Sequence, residues 1–173
     1  MTIARIVAVC MLSVGFLQLA AAPVRADDAA LLQEMRDRAA IEALMWRYVR
    51  ALDSLDANAY AGVFTPDGKF GSGQTAREGR AALAAMVTEL KAGRAEREAD
   101  GQPPSPPMYH VIANHTLEFI DRDHARYDAY WMTVFGARGQ EVPVRVAAAG
   151  RSVDMLVRMN GEWLIQSRDV APQ

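Results

Sequence analysis

The chain has 173 residues, a hydrophobic share of 51% and a formal charge of −2. That length suits one domain with a sizeable core. Its mild acidity argues against a nucleic-acid partner, because phosphate binding needs a basic face. The single cysteine, Cys10, lies near the start, so the rest of the chain has no disulfide and no cysteine-based metal site.

Met1 to Ala26 reads as a secretory signal peptide. Arg5 precedes an apolar run from Ile6 to Ala22, and Val24-Arg25-Ala26 ends it with small residues where a signal peptidase cuts. The apolar run is roughly 17 residues, at the short limit for a membrane anchor. Cleavage after Ala26 leaves residues 27–173 as a single domain and, by removing Arg5 and Arg25, takes the formal charge from −2 to −4. The expected location is the periplasm or the extracellular space, with no stable membrane anchor after cleavage.

Asp27 or Asp28 can cap a first helix running to about Leu52. Ile41, Leu44, Met45, Tyr48, Val49 and Leu52 recur on it at helical spacing and form one apolar stripe. Asp53 ends that stripe. Asp56 caps a second short helix carrying Ala59, Tyr60, Val63 and Phe64, and Thr65-Pro66-Asp67-Gly68 stops it as a turn. Lys69-Phe70 predicts a short strand. A third helix begins near Glu78 or Gly79, carries Ala82, Leu83, Met86, Val87 and Leu90, and turns polar from Lys91 to Asp100. Gly93 to Pro107 is expected as a loop or lid, since Gly101 to Pro107 holds four prolines in seven residues.

The pattern then changes to β. Met108 to Ile120, Ala125 to Phe135, Val142 to Met159 and Trp163 to Val170 are predicted strands. Asp121 to His124, Gly136 to Glu141 and Asn160-Gly161 are the turns between them, the last a strong hairpin signal. Helices followed by antiparallel hairpins describe an α+β domain with the helices packed on one curved sheet.

His110 opens the first long strand. Strict alternation puts His110, Ile112, Asn114 and Thr116 on one face and His115 on the other, unless a bulge intervenes. That alternation, with His124 in a turn, points away from a metal site. His110 is either a hydrogen-bonded structural residue or half of an aspartate–histidine pair with Asp53, in which the carboxylate fixes the tautomer and leaves the other ring nitrogen as a base. Spacing alone leaves both open. Tyr48 lies about 140° around the helix from Asp53, and is either a core aromatic or a pocket residue. Arg151, Asp154, Arg168 and Asp169 read as members of surface ion pairs. No glycine-rich phosphate loop and no serine elbow is present.

Four stretches together, RYVRALDSLDANAYAGVFTPDGKF, the pair Gly79-Arg80, MYHVIANHTLEFIDRDHARY and GRSVDMLVRMNGEWLIQSR, resemble a SnoaL-like domain of the NTF2-like superfamily. The resemblance covers nearly all of residues 37–170. It implies a cone-shaped barrel of three helices against a strongly curved, mostly antiparallel sheet. It also implies an internal pocket for a small apolar or cyclic ligand, and a homodimer or higher homo-oligomer formed through the sheet.

The nearest pattern looks like the branch holding scytalone dehydratase, hexachlorocyclohexane dehydrochlorinase and bile-acid 7α-dehydratase. Those enzymes use an aspartate–histidine dyad for proton abstraction and elimination, and on that likeness no cofactor is expected here. The likeness implies His110 as general base, Asp53 as its partner and Tyr48 as the tyrosine of the bile-acid enzyme. Two features depart from the wider family. Ser72 stands where ketosteroid isomerase keeps its carboxylate base, and Leu52 stands where scytalone dehydratase has a tyrosine. Three functions follow as expectations: an exported lyase of the dehydratase kind, a non-catalytic binder of hydrophobic ligands, or an interaction subunit resembling the β subunits of ring-hydroxylating dioxygenases.

Overall fold

The structure is a computed structural model, and it describes residues 25–137 and 143–172. The expected signal segment therefore lies outside the described residues, except for its last two positions, as does most of the Gly136 to Glu141 turn. Three helices pack on one six-stranded sheet. Helix α1 spans Ala26–Asp53, α2 Ala57–Gly62 and α3 Arg80–Ala99. The strands are β1 (Phe64–Phe70), β2 (Arg77–Glu78), β3 (Met108–Phe119), β4 (His124–Phe135), β5 (Arg145–Met159) and β6 (Glu162–Asp169). Their order across the sheet is β2-β1-β6-β5-β4-β3, antiparallel throughout except for β1 against β6. Among the described residues no helix is long and apolar enough to cross a membrane.

The apolar stripe of α1 is the spine of the core. Ile41, Leu44, Met45, Tyr48, Val49 and Leu52 are all buried, against Tyr60, Phe64, Leu83, Val87, Leu156 and Ile165. Burying side chains of this size contributes about 1.5–3 kcal/mol each, which fixes α1 lengthwise over the sheet. Asp27 and Asp28 do not cap α1. The helix begins one residue earlier, and both carboxylates lie in its first turn, where they favour the positive end of the helix dipole. Asp56 does cap α2, its Oδ1 accepting the Ala59 N–H at 2.9 Å.

Several boundaries differ from the sequence expectation, each for a local reason. Phe64 leaves α2 and starts β1. Thr65 to Gly68 bulge out within that strand, between the pairs Phe64–Ile165 and Lys69–Ser167. Gly68 is needed there, because a Cβ would lie 2.7 Å from the Phe64 Cβ. Gly79, at φ +80, precedes α3, and the Arg80 guanidinium then donates to the Phe64 carbonyl at 2.7 and 3.0 Å. The polar tail of α3 remains helical to Ala99, so the loop that could act as a lid is Asp100 to Pro107 and not the longer Gly93 to Pro107. Leu90 is exposed, which narrows the buried face of α3 to Leu83 and Val87. Asn160 and Gly161 both take positive φ, 53° and 82°, as a two-residue hairpin of primed type requires.

Candidate active site

Asp53 is the last residue of α1, and His110 is the third residue of β3, the free edge strand of the sheet. The helix ends beside that edge. There, Asp53 Oδ1 accepts the His110 backbone N–H at 3.0 Å and stands 2.7 Å from Nδ1 of the same residue. Their side chains are 19% and 17% exposed. One oxygen thus holds both the backbone and the ring of one residue. A carboxylate acceptor demands the proton on Nδ1, so the neutral ring carries its lone pair on Nε2.

His110 borders an inner cavity of about 190 Å³. Tyr48 and Leu52 of α1 line it, with Phe70, Ile112, Trp131, Thr133, Ala148, Arg168 and Val170 from the sheet side. Asp53 is not among them, so it reaches the cavity only through His110. Tyr48 is buried and does line the cavity, packed beside Tyr60 with ring centroids 5.4 Å apart. Burial, followed by the charge of Asp154, pushes the Tyr48 phenol up against the opposing pull of Arg168. Tyr48 is therefore a hydrogen-bond donor near neutral pH, not a base.

Arg168 and Asp154 are not surface residues. They are 2% and 0% exposed and pair directly, Arg168 Nη1 to Asp154 Oδ2 at 2.5 Å. The Arg168 guanidinium lies 4.5 Å from the centre of the Tyr48 ring. Burial pushes the Asp154 carboxyl up to about 7, against the lowering effect of Arg168. Arg168 Nε and Asp154 Oδ1 are buried with no hydrogen-bond partner. Alternation from Leu156 does place Asp154 on the inward face of β5. On β6, however, one extra residue sits between the pairs Leu156–Ile165 and Met155–Ser167, and that shift turns Arg168 inward. Composition gives no sign of such a shift.

A comparable shift corrects the reading of His115. Between the pairs Ala113–Tyr130 and Thr116–Asp128, β3 gains one residue, and Asn114 takes φ +48. Past this bulge the inward face changes parity, and His115 joins His110 in lining a cleft between α1 and β3, separate from the inner cavity. It stacks on Tyr127 with centroids 4.9 Å apart and planes at 15°. Arg151 is exposed on the outer face, as alternation predicts. Among the described residues no group of three or more His, Cys, Asp or Glu side chains is placed to hold a metal ion.

The profile of the SnoaL-like domain matches residues 33–169. The chain belongs to the SnoaL-like domain family. An NTF2-like protein with a cystatin-like fold from Novosphingobium aromaticivorans superposes with a TM-score of 0.66 at 24% identity, over 85% of this chain and 89% of that one. A second chain from the same organism, provisionally named a scytalone dehydratase, gives 0.61 at 19% identity over 80% and 85%. A Catenulispora acidiphila structure in complex with S-DNPA gives 0.57 at 26% identity over 81% and 91%. No curated protein matches the chain significantly. The SnoaL-like domain thus spans the region that holds Tyr48, Asp53, His110 and Arg168.

Proposed function

We propose that this SnoaL-like protein is an exported small-molecule lyase, a dehydratase or related eliminase that needs no cofactor. The observation that carries this reading is the Asp53–His110 contact at the wall of an apolar cavity. His110 Nε2 takes a proton from a carbon of the substrate. The electrons of that C–H bond form a C=C bond, the neighbouring C–O bond breaks, and the departing hydroxyl takes the proton back from the imidazolium and leaves as water. Tyr48 donates a hydrogen bond to the substrate oxygen, and Asp53 stabilises the imidazolium that forms. Arg168, charged and only partly satisfied by Asp154, favours the negative charge that develops on oxygen. General-base catalysis of this kind supplies roughly 10²–10⁴-fold, so preorganised charge must contribute the rest.

The apolar lining suits a small cyclic substrate with one or two oxygens. A screen of cyclic β-hydroxyketones, read by loss of water in mass spectrometry, tests the proposal. Turnover that disappears in His110→Ala supports it. Turnover unaffected by that change overturns it.

A second reading is a ligand carrier on the same cavity, favoured by the related structure that holds S-DNPA. It predicts no turnover of any screened compound and undiminished binding in His110→Ala. Tyr109, Tyr130 and Val146, exposed on the outer sheet face, form the surface on which a homodimer would close.

A further inference from the structure

His110 borders two spaces. Besides the inner cavity, it closes one end of a cleft of about 320 Å³ between α1 and the bulged edge strand β3. We propose that this cleft is a second binding site, for a planar aromatic molecule carrying a hydroxyl group. The inference does not rest on the lyase reading, since it requires binding and no turnover.

Three observations specify the ligand. First, the walls are flat and aromatic. His115 uses one face to stack on buried Tyr127 and is itself exposed. Trp46, across the cleft on α1, is 65% exposed, and its one ring contact among the described residues is Arg50 at 5.9 Å. The indole stands largely in water beside the imidazole, with the Arg50 guanidinium as its ring contact among the described residues, and stacking is the contact its open surface offers.

Second, the cleft depends on a backbone device. The left-handed Asn114 is what turns His115 into it; without the extra residue His115 would point to the opposite face. Bulges of this kind re-aim a side chain at the cost of local pairing.

Third, the charge is one-sided. Glu42 is the one formally charged side chain lining the cleft, and no lysine or arginine joins it. A carboxylate or phosphate ligand is therefore disfavoured. A neutral hydroxyl that donates to Glu42 or His115 is favoured. A peptide strand added to the β3 edge is also disfavoured. Asp53 already occupies the His110 N–H, and the bulge breaks the ladder three residues later.

The test uses 2-naphthol as the probe and protein labelled with nitrogen-15 in its histidine rings. The His115 signals are assigned by their loss in His115→Gln. Binding is expected to shift His115 and to weaken by roughly two- to tenfold in Trp46→Ala and in His115→Ala, the range that a single ring stack is worth. Both changes fall on exposed side chains, so folding, checked by circular dichroism, should persist. Ala148→Phe, which puts a phenyl ring on the lining of the inner cavity, should leave the affinity unchanged. Glu42→Gln should weaken 2-naphthol more than naphthalene.

Three results would overturn the proposal. One is an unchanged dissociation constant in both ring variants. Another is binding abolished by Ala148→Phe, which would put the probe in the inner cavity. The third is light scattering that shows a dimer dissociated by Trp46→Glu, which would mean that a second copy covers the cleft.

Discussion

One oxygen of Asp53 fixes His110 at two points, its backbone N–H at 3.0 Å and its ring Nδ1 at 2.7 Å. The geometry assigns Asp53 as a positioning residue and His110 as the group facing the cavity. It also predicts a graded response to substitution. Asp53→Asn retains an acceptor but loses the charge that stabilises the imidazolium, whereas Asp53→Ala loses both. On a turned-over substrate, Asp53→Ala and His110→Ala should each lower kcat by about 10²–10⁴-fold, and Asp53→Asn by less. Equal activity of Asp53→Ala and the parent protein would reject the role given to Asp53.

The buried pair of Asp154 and Arg168 should cost more to break than to replace. Asp154→Ala leaves a guanidinium without its counter-charge and should destabilise the fold by about 3–5 kcal/mol. The double change Asp154→Leu with Arg168→Met should recover much of that loss. Urea unfolding of the parent protein and the two variants measures both effects.

Asp154 also predicts a pH dependence of unusual sign for a carboxylate. Its folded value, about 7, lies above the ordinary 3.8. The folded state therefore binds the proton more tightly than the unfolded state. This group's contribution is fully present below the ordinary value and is lost as pH rises through about 7. Asp154→Asn should flatten the fall in stability over that window. If the parent and the variant follow one curve between those limits, the carboxyl is not raised.

Asp37 predicts the opposite slope. Burial pushes its carboxyl up, but hydrogen bonds from Arg158, Trp163 and Gln33 outweigh this and hold it below the usual range. Arg158 Nη2 reaches it at 2.6 Å and Trp163 Nε1 at 3.1 Å, joining α1 to β5 and β6. This contribution is present above the unfolded value and is lost as pH falls through the folded one. Asp37→Ala should destabilise by about 3 kcal/mol, the low end for a buried pair because Arg158 stays 17% exposed. A melting temperature that does not move would refute it.

Export predicts a specific mature terminus. Expressed with its full leader in a host that exports proteins, the chain should appear outside the cytoplasm with Asp27 as its first residue. Intact-mass spectrometry reads that directly. An uncut chain retained in the cytoplasm would end the proposal.

The apolar stripe of α1, the Asp56 cap, the Asn160-Gly161 turn and the strand-rich second half were legible because each depends on neighbours a few residues away. Asp53 and His110 were legible as candidates from their places at a helix end and a strand start. Their contact was not, since 57 positions separate them and only the packing of α1 on the sheet brings them together. The inward turns of Arg168 and His115 were illegible for one shared reason. Alternation assumes two residues per pleat, and a single inserted residue reverses every side chain beyond it.

Local chemistry in the chain thus determined the elements, the core stripe and the residue types available for acid–base work. Tertiary structure decided which of them meet. Closing helix α1 over a sheet with register shifts in β3 and β6 buried Asp154 and Arg168, turned His115 into a cleft and seated the His110 ring on Asp53. Those outcomes depend on pairing between distant strands, where burial and hydrogen bonding across the fold outweigh any preference written in adjacent residues.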